Sequence, residues 1–230
     1  MQRLCLLISS LICLSCAVCS CYSQPLIRTT HEAFSSYYDI EKCNPAFVVW
    51  MLTPDDFRGV LKLKSRHFKV DTQLPPPRVK ANAYSGSGYV RGHLCAAADR
   101  DTDKGLLKQT YLTSNMVPMT MVCNSGQWKQ VEDTCRVIAM SHGECLMVAG
   151  CIYNDSILGL AKVGRSTVPT AFFRLAICNR HPGEVWCWIV QNSWSRTWPI
   201  RVGTKVLQQV LQPNYWQAIR AVTAIQAYPR

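Results

Sequence analysis

The stretch SGYVRGHLCAAADRD, residues 87–101, carries an arginine and a histidine two positions apart. Arg91 offers a planar fork of donors that matches phosphate oxygens, and His93 can take a proton from water near neutral pH. If Tyr89 to His93 is extended, residues 89, 91 and 93 share one face while Val90 and Gly92 point to the other. Arg91 and His93 then reach into the same space, and Val90 faces away from it. A second stretch, CNSGQWKQVEDTCR at 123–136, places Asn124, Trp128, Glu132 and Arg136 at intervals of four, one slowly drifting stripe on a helix. Asn124 and Glu132 would lie about 12 Å apart along its axis, so both could act on one ion only if water bridged at least one of them, which is how Mg²⁺ is usually held. The same residues also fit a plain helix that starts at Asn124 and carries a Glu132–Arg136 ion pair. Residue types alone leave both readings open.

These side chains need a scaffold. Phe47 to Leu52 is a continuous apolar run ending at Thr53-Pro54, as a buried strand would be. Lys62, Lys64 and Arg66 alternate with Leu61, Leu63 and Ser65, which predicts a strand near residues 60–66 with a basic outer face. A proline loop at Pro75-Pro76-Pro77 and the turn Gly86-Ser87-Gly88 follow. Further strands are expected over Thr110–Met116, Glu144–Ile152, Phe172–Cys178 and Val185–Val190, and helices over Ser125–Met140 and Thr204–Leu211. Such a mixed order predicts an α+β fold with a mostly antiparallel central sheet and flanking helices.

Length and composition agree with one globular domain: 230 residues, 48% hydrophobic and 17% charged, with no repeat or low-complexity tract. A basic start, an apolar run from Leu4 to Val18 and small residues at Ala17, Cys19 and Ser20 read as a signal peptide over 1–20, cleaved near 19–21. The expected location is secreted or periplasmic, with a lipid tether at Cys21 as the alternative, since Val18-Cys19-Ser20-Cys21 loosely matches a lipoprotein box. No later stretch has the roughly 18 apolar residues of a membrane span. Beyond Cys21 there are eight cysteines, an even set that suits disulfides; Cys178 with Cys187, flanking a turn, is the expected local pair, and the others are read as disulfides or as small buried side chains. The 25 basic residues exceed the 14 acidic by 11, which favours polyanionic partners. Asn154-Asp155-Ser156 fits a glycosylation acceptor. His31, His67, His142 and His181 have no partner that sequence can supply.

GSGYVRGHLCAAADR, TYLTSNMVPM and NSGQWKQVEDTCR occur in an order and spacing that resemble the DNA/RNA non-specific endonuclease family, the ββα-metal (His-Me finger) nucleases with an Asp-Arg-Gly-His signature. The resemblance is closest over residues 84–137 and covers most of the domain expected at 21–230. It implies that His93 is the general base, Asn124 the direct ligand of one Mg²⁺ (Mn²⁺ able to substitute), and Glu132 an acidic residue acting on that ion through water. It further implies phosphate contacts from Arg91, Arg136 and Arg66, and structural support from Asn115. The implied substrates are DNA and RNA, single- or double-stranded, cut with little base preference because phosphate contacts carry no sequence information. Two positions depart from the pattern: Val90 stands where the signature has Asp, and Met119 where a Gln usually follows Pro118. A lost orienting carboxylate costs about 10 to 100-fold, so an attenuated nuclease is expected. The alternatives are a secreted nucleic-acid-binding protein with weak or no turnover, and a disulfide-stabilised interaction module.

Overall fold

The computed structural model describes residues 24–59, 61, 63, 67–154, 159–178 and 184–223. The expected signal peptide and Cys21, Arg66 and most of the basic strand expected with it, the glycosylation site beyond Asn154, and His181 lie outside these residues.

The chain begins with β1 (Ile27–Thr30), β2 (Ser35–Asp39) and β3 (Asn44–Leu52), successive antiparallel neighbours. β4 (Val90–His93), the short helix α1 (Lys104–Gln109), β5 (Met116–Met119), α2 (Met121–Cys123) and α3 (Lys129–His142) follow. The remainder is β6 (Cys145–Ile152), β7 (Lys162–Val163), β8 (Ser166–Thr167), β9 (Ala171–Cys178), β10 (Val185–Gln191), β11 (Ile200–Arg201), α4 (Thr204–Val210) and α5 (Pro213–Thr223). One sheet in the order β1-β2-β3-β6-β9-β10-β11 forms the platform, and β4 pairs with β5 in a separate ribbon. Every pairing within the large sheet is antiparallel. This is the α+β architecture expected.

The central strands β3, β6 and β9 are buried along nearly their whole length, which is why they read as near-continuous apolar runs rather than alternating ones. Their side chains join Trp128, Val131, Cys135 and Ala139 of the α3 region and Leu207, Tyr215, Trp216 and Ile219 of α4 and α5 in one core. Among the described residues no helix is long and apolar enough to cross a membrane.

Three expectations need correction. Residues 110–116 are not a strand: Thr113–Asn115 form a single 3₁₀ turn and the strand starts at Met116. Thr113 and Asn115 spend their side chains on backbone groups, Thr113 on the N–H of Asp71 and Asn115 on Cys95, the local competition that diverts such residues from a ladder. Cys178 pairs with Cys145, not Cys187. Cys145 and Cys178 sit directly opposite each other on β6 and β9, whereas Cys187 faces Leu175. Cys43, Cys95, Cys123, Cys135, Cys151 and Cys187 are buried free thiols. Finally, for two of the histidines the structure supplies the partner that sequence could not: His31 Nε2 lies 2.7 Å from Asp71 Oδ2, and His142 Nδ1 3.0 Å from the Ile138 carbonyl.

Candidate active site

β4 and β5 run antiparallel with His93 opposite Met116 and Gly92 opposite Val117. A Cβ at Gly92 would stand 2.8 Å from Met119 side-chain atoms, so any side chain between Arg91 and His93 would force Met119 out of its place. The chain past His93 is clamped by Asn115, which is buried. Its Oδ1 accepts from the Cys95 N–H at 2.7 Å, and its Nδ2 donates to the carbonyls of Cys95 and Thr110 at 2.9 and 2.8 Å. The Trp128 indole donates to the His93 carbonyl at 3.0 Å. These neutral bonds fix the backbone on which the imidazole is mounted.

The His93 ring sits 5.3 Å from the Phe68 ring and meets Tyr111 edge-on at 4.9 Å. Arg91 lays its guanidinium over the same Phe68 ring at 4.4 Å and donates to the Ala81 carbonyl. Arg91 and His93 therefore do share a face, with Phe68 as their common floor. Val90 corrects the alternation argument: it packs partly on the core, yet it also borders the cleft that Arg91 and His93 line.

The helical side differs from the regular stripe drawn from sequence. Thr120 caps α2 by accepting from the Cys123 N–H. Asn124–Trp128 then form one wider, π-type turn before α3, interrupted at Gly126 (φ −105°, ψ −106°). Such turns recur at functional sites. Because of the break the uniform 1.5 Å rise does not span it, and Trp128 turns into the core while Asn124, Glu132 and Arg136 stay on the cleft.

The Glu132–Arg136 pair of the plain-helix reading gives way to a wider network. Arg136 bonds Asp99 Oδ1 at 2.6 Å and also Asp133. Asp99 Oδ2 receives Arg174 at 2.8 Å. Arg174, wholly buried between the Trp50 and Trp128 rings, reaches the Leu94 carbonyl at 3.3 Å and stands 3.8 Å from Glu132 Oε1. Burial pushes the Glu132 carboxyl up to about 7, against the pull of Arg174; its side chain is 14% exposed.

His93, Arg91, Asn124, Glu132 and Arg136 thus line one open cleft of 680 Å³, with Phe68, Tyr111 and Lys129. Asn115 supports it from behind. Asp99, Arg174 and Phe68 were not singled out from sequence. The signal for Arg174 was there to find, a lone charge inside the apolar run AFFRLAIC.

The family model for DNA/RNA non-specific endonucleases matches residues 22–207. The chain belongs to the DNA/RNA non-specific endonuclease family. Similar sequences include a nuclease of Nostoc sp., 32% identical over 149 residues covering 64% of this chain and 53% of that protein. Human mitochondrial endonuclease G is 26% identical over 166 residues, 68% of this chain and 56% of that protein. Human mitochondrial nuclease EXOG is 29% identical over 138 residues, 58% of this chain and 38% of that protein. The chain spans about half the length of the curated relatives it matches. A chain of the crystallised EndoG/EndoGI complex has the same fold, with a TM-score of 0.69 at 21% identity over 83% of this chain and 85% of that one. The endonuclease family pattern thus lies over the ribbon, the π-type turn and α3.

Proposed function

We propose that the protein is an exported, Mg²⁺-dependent endonuclease that hydrolyses phosphodiester bonds of DNA and RNA without sequence preference. The observation that carries this is the meeting of His93 and Arg91, from β4, with Asn124, Glu132 and Arg136, from the π-type turn and α3, on one cleft.

The donor set fits a hydrated hard cation. Asn124 offers an amide oxygen and Glu132 a carboxylate, and among the described residues no group of three His, Cys, Asp or Glu could cage a metal. Few oxygen ligands with water completing the shell suits Mg²⁺, and Mn²⁺ in its place, rather than a zinc cage. Bound there by Asn124, with Glu132 acting through water, the ion would supply positive charge to the leaving 3′ oxygen.

The protein's own groups account for the rest. His93 takes a proton from water as its oxygen bonds to phosphorus and the P–O3′ bond breaks. Arg91 and Arg136 oppose the charge that builds on the non-bridging oxygens; Arg66 joins them by family resemblance. Arg136 already serves Asp99 and Asp133, so its orientation is fixed before substrate arrives. Contacts limited to phosphate imply weak base preference.

A second reading, a nucleic-acid-binding protein with little turnover, draws on Val90, an apolar side chain at the cleft where the family signature has Asp. Incubating the protein with plasmid and with RNA, in Mg²⁺ or in EDTA, separates the two. His93→Ala is expected to lower the Mg²⁺-dependent rate about 10²- to 10⁴-fold, and Val90→Asp to raise it about 10- to 100-fold. Undiminished cleavage by His93→Ala sinks the catalytic assignment. Cleavage seen only in Val90→Asp favours the second reading. Export, argued from residues 1–20, is tested by N-terminal sequencing of protein recovered from the medium; a lipid tether would leave Cys21 first and blocked.

A further inference from the structure

Beside the cleft lies a patch that the phosphate chemistry does not use. The segment between β10 and β11 exposes Trp194 (57%) and Trp198 (70%), with Ile200 beyond them. Exposing two indoles so fully forgoes burial that large aromatic side chains normally gain, and such patches mark binding surfaces. Arg196 sets its guanidinium 5.6 Å from the Trp198 ring centre. C-terminal to Glu184 the sequence has no acidic residue, while Arg196, Arg201, Lys205, Arg220 and Arg230 are basic.

The patch is fastened to the candidate active site. Asn192 accepts from the Thr120 N–H at 2.8 Å and donates to the Pro118 carbonyl at 3.1 Å. The Ser193 carbonyl accepts from the Thr120 hydroxyl at 2.6 Å, and Thr197 Oγ1 accepts from Gln127 Nε2 at 3.1 Å. Thr120 caps the helix that leads to Asn124, and Gln127 lies in the π-type turn. From the other side Trp194 meets the Tyr89 ring at 5.0 Å, one residue before β4. The segment is therefore held to both walls of the cleft, on the β4 side by the Trp194 ring itself, while more than half of each indole stays exposed.

Resting on the nuclease reading above, we propose that Trp194 and Trp198 form a base-stacking subsite that favours single-stranded nucleic acid. Phosphates in the cleft and bases on the rings would engage one strand together. Exposed indoles beside arginine bind bases of any identity, because every base has a π face. A duplex keeps its base faces stacked internally and offers the patch only its edges and backbone, so the subsite discriminates strand state rather than sequence.

The test measures binding in EDTA, where turnover is blocked, of an oligothymidylate about 12 nucleotides long and of a duplex of equal length. Trp198→Ala is expected to weaken the single strand about tenfold, and Trp194→Ala/Trp198→Ala further, with the duplex changed less than about twofold. Trp198→Phe, which keeps a stacking ring, should retain most of the affinity, and melting curves check that each variant is folded. Single-strand affinity within about twofold of the parent in the double variant overturns the proposal, and so does an equal loss for duplex, which would assign the patch to contacts that duplex and single strand share. Cleavage of plasmid by the same preparations in Mg²⁺ keeps the two readings apart. If the parent cleaves, His93→Ala does not, and the tryptophan variants bind normally, the subsite alone fails; if the parent neither binds nor cleaves, both fail.

Discussion

On one wall of the cleft, the backbone that carries His93 is held by neutral groups: the Asn115 amide on Cys95 and Thr110, and the Trp128 indole on the His93 carbonyl. On the other, Arg136 is held by charge on the buried Asp99, which also takes Arg174, and Arg174 stands 3.8 Å from Glu132. The wall that presents the imidazole thus needs position above all, and amides give it without imposing a field. The wall that carries Arg136 has to keep its guanidinium aimed beside the wholly buried Arg174, and only a buried carboxylate between the two makes that tolerable. Arg174 links the two walls, since it also donates to the Leu94 carbonyl next to His93.

The comparison breaks most visibly at Asp99. Asp99→Asn leaves the buried Arg174 with only the more distant Glu132 carboxyl, 3.8 Å away, to oppose its charge, and removing one partner of a buried pair costs about 3–5 kcal/mol. Urea unfolding should show that loss, and cleavage should fall with it as Arg136 loses its anchor. Adding Arg174→Met removes the orphaned charge and should recover part of the stability. A loss below about 1 kcal/mol in the single variant, the range of exposed pairs, would mean that charge does not hold this wall. The neutral wall predicts a smaller effect. Asn115→Ala strands the N–H and carbonyl of Cys95 and the carbonyl of Thr110, and unmet buried groups cost about 1–3 kcal/mol each, with relaxation and entering water bringing the sum toward the low end. Here the activity loss should exceed what unfolding explains, because the His93 backbone is released; a kcat equal to the parent's in the folded variant would deny Asn115 its supporting role.

What sequence could and could not give follows the same division. The cleft residues carry their chemistry in their identity and spacing, so His93, Arg91, Asn124, Glu132 and Arg136 were readable as a set, as were β3, β9 and β10 from their apolar runs. Asp99 and Arg174 are separated by 75 residues, and no local rule pairs an acid in AAADRD with an arginine in a strand. α1, too short for a periodic signal, and α5, past the expected terminal helix, were not read. Alternation also misdirected Val90: the first residue of a short ribbon can touch both core and cleft, whereas a two-face rule assigns it one side. The Cys178 pairing failed for a related reason, since turn proximity suggested Cys187 while the register of β6 on β9 put Cys145 opposite.

One buried carboxyl does stand behind the neutral wall, and it should give the smallest effect. Asp71 is buried, accepts from Ser114 Oγ at 2.5 Å and lies 2.7 Å from His31 Nε2, and Ser114 adjoins Asn115. Burial by itself would raise the Asp71 carboxyl; hydrogen bonds from His31, Ser114 and the Gln73 N–H outweigh it and hold the carboxyl below its ordinary value of 3.8. A carboxyl depressed in the folded state binds fewer protons there than in the unfolded chain, so its stabilisation is complete above the ordinary value and drains away as pH falls through the folded one. The melting temperature of the parent should therefore drop more steeply than that of Asp71→Asn as pH falls from about 5 to about 3. Parallel curves across the acid range would show that Asp71 braces Ser114 by shape alone, which would leave Arg174 on the Leu94 carbonyl as the charged contact behind this wall.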